Sequence, residues 1–288
     1  MTFPIEAARR IAELALAEDA AGDDITTRWS VPAELRTEAV IITRQPGVAA
    51  GLPIVAEVFA RVDPQVKVVP VVEDGARLAP NDVLVELSGP ARSLITGERT
   101  VLNLLQRMSG IATFTSRFAD AVQDLPVRVL DTRKTAPGLR ALDKYAVTAG
   151  GGTNHRLDLA AMVLLKENHV AAAGGVTAAV RAVQAGRAAE GREVLIDVEV
   201  QSVADAEEAL RAGASWIMLD NMTNDEIRSV VRLRAELAAG QDITLEASGT
   251  ITLDRIRAIA ETGIDAVSIG ALTHSAPALD LSMLIAGA

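Results

Sequence analysis

Beyond Pro126 the chain settles into a regular alternation, and no other feature of the sequence restricts its fold so strongly. Apolar, strand-like runs at 127–130, 162–165, 194–200, 215–219, 243–245 and 266–269 are separated by helically patterned stretches at 137–149, 177–190, 203–212, 224–239 and 253–262. Repeated strand–helix units predict parallel strands, because a parallel neighbour can be reached only by a long crossover, usually a helix. The runs are apolar at consecutive positions, as expected of strands covered on both faces. Helix starts carry their own signals: Thr223 with Glu226 has capping-box spacing, and Ser202 with Asp205 resembles it. Periodicity does not distinguish a closed barrel from an open sheet. No Gly-x-Gly-x-x-Gly follows the first run, which argues against a dinucleotide-binding sheet.

The first part of the chain has a different texture. Residues 4–20 read as an amphipathic helix, with Ile5, Ala8, Ile11, Ala12 and Ala15 on one face. From 37 to 91, short β-branched runs alternate with turn pairs such as Pro46-Gly47, Asp74-Gly75 and Pro80-Asn81, which predicts a small α+β domain with a partly antiparallel sheet. Residues 97–122 predict a bridging helix, with a break expected near Ser109-Gly110.

Composition excludes several functions. The formal charge is −10, from 28 basic and 38 acidic residues, and only four Phe, two Trp and one Tyr are present. Nucleic acid therefore finds neither a basic face nor stacking platforms. There is no cysteine, hence no disulfide framework, thiolate metal site or cysteine nucleophile. No uncharged apolar run reaches the roughly 18 residues of a membrane span, and the start does not resemble a secretory signal. A cytoplasmic protein is expected.

Chemistry concentrates where these strands end. Asp131-Thr132-Arg133-Lys134, Lys166-Glu167-Asn168-His169, Asp197-Val198-Glu199, Asp220-Asn221, Ser248-Gly249-Thr250 and Ile269-Gly270 all fall at that edge. In parallel α/β folds the carboxyl edge is where ligands bind. Arg133, Lys134, His155, Arg156 and Lys166 form a dense basic set in an acidic chain, suited to an anion; alternatively they are ion-paired locally, Asp131 with Arg133 for example. Glu199 and Asp220 suit Mg²⁺ completed by phosphates and water, unless they simply pair with Lys166 or Arg133. The glycine-containing loops at 248–250 and 268–270 suit a phosphate, although each alone is an ordinary turn. Gly150-Gly151-Gly152 reads as a helix stop, His274 as a loop residue, and Trp29 and Trp216 as packing residues.

These residues carry a family resemblance. Asp131-Thr-Arg-Lys-Thr-Ala-Pro-Gly-Leu-Arg, Lys144-Tyr-Ala-Val, Gly151-Gly-Thr-Asn-His-Arg-Leu-Asp-Leu, Leu165-Lys-Glu-Asn-His, Val198-Glu-Val, Met218-Leu-Asp-Asn-Met and Glu246-Ala-Ser-Gly resemble the quinolinate phosphoribosyltransferases. Gly22-Asp-Asp-Ile-Thr-Thr and the stretch from Gly97 to Thr113 also match; the second Asp after Gly22 is a peripheral departure. The likeness spans nearly the whole chain in order. It implies an α/β fold with an incomplete, roughly seven-stranded α/β barrel and an amino-terminal α+β sandwich domain. The implied division is 1–110, 111–275 and a tail, 276–288, that returns to the first domain.

The resemblance also implies an activity: Mg²⁺-dependent transfer of phosphoribosyl from phosphoribosyl pyrophosphate to quinolinate, with decarboxylation to nicotinate mononucleotide. Arg133, His155, Arg156 and Lys166 would hold the quinolinate carboxylates, with Arg99 closing the site, and Thr132 would be a further substrate-binding residue. Lys134 and Lys166 would face the pyrophosphate. Glu199 and Asp220 would meet the ribose hydroxyls and Mg²⁺, and Ser248-Gly249-Thr250 and Ser268-Ile269-Gly270 the 5-phosphate. Lys134, Lys166, Glu199 and Asp220 would be the catalytic residues. A homodimer is implied, with Arg99 lent across its interface and a higher assembly not excluded.

Three rival readings stand beside this one. A Schiff-base aldolase would use Lys166 as nucleophile, but the surrounding arginines suit a dianion better than a neutral carbonyl. A related transferase acting on nicotinate, or a molybdenum-linked relative, is closer; two arginines with a histidine favour a dicarboxylate. The segment 73–82 resembles the sheet of biotinyl or lipoyl carriers, but its turn has no lysine to modify.

Overall fold

A computed structural model describes residues 2–286. In chain order it contains α1 (Ile5–Glu18), α2 (Ile25–Ser30), β1 (Arg36–Thr43), β2 (Gly47–Val48), α3 (Pro53–Val62), β3 (Lys67–Pro70), β4 (Arg77–Leu78), β5 (Val83–Pro90) and α4 (Ala91–Ala121). There follow β6 (Arg128–Leu130), α5 (Arg140–Ala149), β7 (Val163–Leu165), α6 (Glu167–Ala173), α7 (Val176–Glu190), β8 (Ile196–Val200), α8 (Val203–Ala212) and β9 (Trp216–Asp220). The remainder is α9 (Asn224–Leu237), β10 (Thr244–Ser248), α10 (Leu253–Ala260), β11 (Ala266–Ser268), α11 (Ala271–His274) and β12 (Leu281–Ile285). The chain divides into two compact units. One comprises the residues up to Ser116, Lys134–Gly152 and those from Ala271 onward; the other comprises Arg117–Arg133 and Thr153–Gly270.

The first unit is built on a four-stranded sheet of order β12-β1-β5-β3, antiparallel throughout. β12 comes from the end of the chain and pairs Met283 with Ile41. Helix α1 buries Ala8 and Ala12, two of the residues on the sequence-derived apolar face, and its rim is tied to α3 by Arg9–Glu57 and Arg61–Glu13. Asp24 caps α2 by accepting the Thr27 N–H (2.9 Å) and also accepts from the Thr96 hydroxyl (2.9 Å). Helix α4 runs unbroken through Ser109 and Gly110, contrary to the expected break. Gly110 is there for contact, not for flexibility: a Cβ on it would lie 2.9 Å from Ala278 Cα. The triple glycine does stop α5, and Gly150 and Gly152 also lie so close to α4 that a Cβ on either would meet Thr115 at 2.8 Å.

The second unit holds six parallel strands in the order β6-β11-β10-β9-β8-β7. A single parallel bridge from Leu130 to Thr153 continues the pairing beyond β6. The six strands agree with the six apolar runs of the sequence; a seventh is not formed among the described residues. One face of the sheet, carrying Val198, Ile217, Leu219, Leu245, Ala247 and Val267, is fully buried. The surrounding helices bury Val180, Ala206, Ala209, Ile227, Val230 and Ile256. The Thr223 capping box and the Ser202 cap form as the sequence predicts. Helix α6 begins at Glu167, within the run that the sequence pattern assigns to the end of a strand.

Candidate active site

Period-two alternation decides which side chains share the other face of this sheet. It groups Asp197 with Glu199 on β8, Trp216 with Met218 and Asp220 on β9, Glu246 with Ser248 on β10, and Ala266 with Ser268 on β11. The register confirms adjacency: Ser248 pairs with Asp220, and Glu246 with both Met218 and Ala266. This face has two levels. Deep in the sheet are Asp197 and Glu246, both wholly buried; nearer the carboxyl edge are Glu199, Asp220 and Ser248, partly open.

The basic residues arrive from the loops. Asp131, buried at the end of β6, accepts the His155 N–H on Oδ1 (2.9 Å) and the Asn154 amide on Oδ2 (2.6 Å), which fixes the 153–156 segment beside β6. It is not the partner of Arg133 that local pairing suggested among the bonds described for it. The Arg156 guanidinium donates to the Met162 carbonyl (3.1 Å). Its pKa is lowered, first by burial and next by the like charge of Arg133. Arg133 Nε is itself buried and makes no hydrogen bond. Two guanidinium groups held close together, one with a donor unmet, make a site waiting for negative charge.

Lys166 and Glu199 form an ion pair in direct contact, so of the two carboxylates Glu199 takes up the pairing with Lys166. Lys166 also precedes α6, where its N–H donates to His169 Nδ1 (3.1 Å). Asp220 Oδ2 accepts from the Asn221 amide (3.1 Å) and, at longer range, from the Gln201 amide (3.5 Å). The carboxylate oxygens of Glu199 and Asp220 are hard donors of the kind Mg²⁺ takes. With only two carboxylates, one of them already engaged, they fit an ion held mainly by substrate phosphates and water. Ser248-Gly249-Thr250 follows β10 at the same edge, and the Thr250 N–H donates to Asn221 Oδ1 (3.3 Å). Ser268 Oγ is buried and makes no hydrogen bond; Ile269 N–H donates to the Leu130 carbonyl (2.9 Å), and Gly270 is half-buried. Thr132 is half-buried as well. Lys134 and Arg99 belong to the first unit and are both exposed, Arg99 on α4.

His155 lies against two buried carboxylates. Its ring is almost wholly buried, edge-on to Trp216, with Nε2 3.2 Å from Glu246 and 3.6 Å from Asp197. Trp216 Nε1 donates to the same Glu246 oxygen (2.7 Å), so this tryptophan does more than pack. Burial works against a charged ring, but the two carboxylates outweigh it and raise its pKa to about 9. Asp197 is pushed up to about 6, by burial above all. The cluster thus keeps an additional proton near neutrality. The Arg156 N–H donates to His155 Nδ1 (2.8 Å), which puts the proton of the neutral ring on Nε2, facing the two carboxylates. The same tautomer argues against a metal ion among His155, Asp197 and Glu246, although their ligand atoms lie within 4.8 Å of one another. Asp197 and Glu246 were legible as acidic residues two positions before Glu199 and Ser248, on the same face; their partnership with His155 was not.

Comparison with known proteins identifies the family. Residues 24–109 match the N-terminal domain model of quinolinate phosphoribosyl transferase, and residues 111–284 match its C-terminal domain model. The chain is 40% identical to a tobacco (Nicotiana tabacum) quinolinate phosphoribosyltransferase [decarboxylating] over 288 residues, covering 96% of this chain and 81% of that protein. It is 42% identical over 266 residues to a probable nicotinate-nucleotide pyrophosphorylase [carboxylating] of Bacillus subtilis, covering 92% and 89%. Its fold is similar to that of the nicotinate-nucleotide pyrophosphorylase from Francisella tularensis, with a TM-score of 0.89 at 36% identity over 98% of this chain and 97% of the other. The motifs at the strand ends, the architecture that presents them and these likenesses agree: the chain belongs to the quinolinate phosphoribosyltransferase family.

Proposed function

We propose that this protein transfers the phosphoribosyl group of phosphoribosyl pyrophosphate to the ring nitrogen of quinolinate, releasing pyrophosphate and CO₂ and giving nicotinate mononucleotide. The carrying observation is the pairing of Arg133 with Arg156: two cations held together, with a buried donor unmet, call for a ligand of more than one negative charge. Quinolinate is such a dianion. Arg133 and Arg156 hold its carboxylates, and Thr132 and Lys166 lie at the same edge. His155 accepts the Arg156 N–H on Nδ1 and so orients the Arg156 backbone.

Pyrophosphate departs from carbon 1 of the ribose through a cationic transition state. Glu199 and Asp220 orient the ribose and balance its charge, and Lys166 and Lys134 face the departing phosphates. Mg²⁺, where bound by Glu199 and Asp220, supplies charge neutralisation for the pyrophosphate. The loops at 248–250 and 268–270 receive the 5-phosphate. Once the ring nitrogen is alkylated, the pyridinium withdraws electrons and the adjacent carboxylate leaves as CO₂; no covalent enzyme intermediate is needed. Arg99, exposed and without a hydrogen bond or ion pair among the described residues, is assigned to the site of a second copy in a homodimer. A cytoplasmic location belongs to the same proposal; no helix among the described residues is long and apolar enough to cross a membrane.

Incubation with quinolinate, phosphoribosyl pyrophosphate and Mg²⁺ should yield the mononucleotide and CO₂ in equal amounts, and chelation should stop it. Turnover of nicotinate with no turnover of quinolinate would overturn the substrate assignment. Activity that survives chelation would remove Mg²⁺ from the proposal.

A further inference from the structure

The turn after β9 places an asparagine where the backbone favours glycine. Asn221 has φ +54°, a left-handed conformation that disfavours most side chains and that asparagine tolerates. Glycine would satisfy the backbone more easily, so the side chain must repay the choice. It does so on two sides. The amide Nδ2 donates to Asp220 Oδ2 at 3.1 Å, and Oδ1 accepts the Thr250 N–H at 3.3 Å. The amide orientation follows from the partners, because a carboxylate oxygen accepts and a backbone N–H donates. The Asn221 N–H itself donates to the Ser248 carbonyl at 3.0 Å.

The loop facing it is shaped to match. Gly249 has φ +119°, and a Cβ there would lie 2.7 Å from Asn221 Cγ and 3.1 Å from its backbone nitrogen. Glycine at 249 lets the loop close onto the amide, and asparagine at 221 fills the space that closure leaves. Asp220 is thereby held against the Ser248–Thr250 loop through one side chain.

We infer that Asn221 is a positioning residue that fixes the distance between the Asp220 carboxylate and the 248–250 loop, and so matches the site to the span from the ribose hydroxyls to the 5-phosphate of phosphoribosyl pyrophosphate. This rests on the functional reading above. Quinolinate is held by other residues, so the effect falls on one substrate and not on both.

The test compares the full-length wild-type protein with Asn221→Gly, Asn221→Asp and Asn221→Ala. Asn221→Gly keeps the left-handed turn and removes both side-chain bonds. Asn221→Asp keeps an acceptor for Thr250 and replaces the donor to Asp220 with a like charge. KM for each substrate and kcat are measured with Mg²⁺ saturating, together with calorimetric binding of phosphoribosyl pyrophosphate alone and the melting temperature. The expected result for Asn221→Gly is a KM for phosphoribosyl pyrophosphate raised about tenfold or more, a KM for quinolinate within twofold, and a melting temperature close to wild type. Asn221→Asp should be at least as impaired, and Asn221→Ala should in addition melt lower. Unchanged binding of phosphoribosyl pyrophosphate by Asn221→Gly would overturn the role, as would equal loss for both substrates. A wild-type protein that binds phosphoribosyl pyrophosphate but does not turn over quinolinate would sink the functional reading and leave the calorimetric comparison to decide the role of Asn221.

Discussion

Arg107 and Asp143 meet through two parallel hydrogen bonds, Nε to Oδ1 at 2.8 Å and a terminal nitrogen to Oδ2 at 2.7 Å, with Asp143 wholly buried. The same guanidinium donates to the Thr273 carbonyl (3.2 Å), and Asp143 also accepts the Ala136 N–H (3.3 Å). The pair therefore joins α4, α5, α11 and the segment that follows Lys134 within one unit. Removing one partner leaves a charge without its counter-ion. Because Arg107 is partly exposed, the cost falls below that of a wholly buried pair, at about 2–3 kcal/mol. Asp143→Ala should lower the melting temperature by roughly 5–10 °C, from the usual 2–4 °C per kcal/mol in a protein of this size. A shift under about 2 °C in thermal unfolding would show that the pair contributes little.

Arg133→Ala and Lys166→Ala should each lower kcat/KM by about 10²-fold or more with unchanged melting temperature, as for lost electrostatic contacts. Arg133→Lys should not restore the activity, because an ammonium lacks the planar fork that grips a carboxylate. Steady-state kinetics with both substrates, alongside thermal unfolding, distinguish this from misfolding. Near-normal kcat/KM in either alanine variant would remove that residue from the site.

The proton held among His155, Asp197 and Glu246 gives a pH signature. The carboxylates raise the His155 pKa to about 9 against the opposing effect of burial, so the folded state binds that proton more tightly than the unfolded chain does. The stabilisation is complete below the unfolded imidazole value near 6.5 and is lost as pH rises from there towards 9. Glu246→Gln keeps an oxygen for Trp216 and the ring but removes one of the two negative charges. Its melting temperature should therefore fall less steeply than wild type across that window. Parallel melting curves in the two proteins would mean that the cluster does not titrate there.

The parallel order was legible because a strand covered on both faces must be apolar at every position, and because crossovers need helical length; Val198, Ile217 and Leu219 carried that signal. The anion site was legible because Arg133, Arg156 and Lys166 are costly to place beside buried strands without a purpose. Other features left no periodic trace. Helix α6 begins at Glu167, directly after Leu165 and the loop residue Lys166, so strand and helix share one short run; only the three-residue step to His169 marked its start. The parallel pairing at Thr153 is a single bridge, too short for any pattern. Glu246 reads as an ordinary strand-end acid until the fold brings Trp216 and His155 to it. Gly110 suggested a break because glycine weakens an isolated helix, whereas its cause lies far along the chain.

Two glycines inside helices should respond oppositely to alanine. In an isolated helix either change would stabilise by about 0.5–1 kcal/mol, because alanine restricts the unfolded chain more and favours the helix. Gly186, in α7, has nothing within 4 Å of the position a Cβ would take, so Gly186→Ala should gain roughly that amount. Gly110, in α4, faces Ala278 Cα at 2.9 Å and Leu279 N at 3.1 Å, and both are backbone. That backbone cannot easily retreat. Leu279 N–H donates to the Gln106 carbonyl (2.9 Å), and the Gln106 amide donates to the Leu281 carbonyl (2.9 Å), which strap the segment to α4 just before it enters β12. Overpacking of this kind costs about 1–3 kcal/mol, which offsets or exceeds the helical gain. Thermal unfolding of the two single variants should therefore move in opposite directions, up for Gly186→Ala and down for Gly110→Ala. If Gly110→Ala melts higher than wild type, the contact between α4 and residues 277–279 is looser than these distances state.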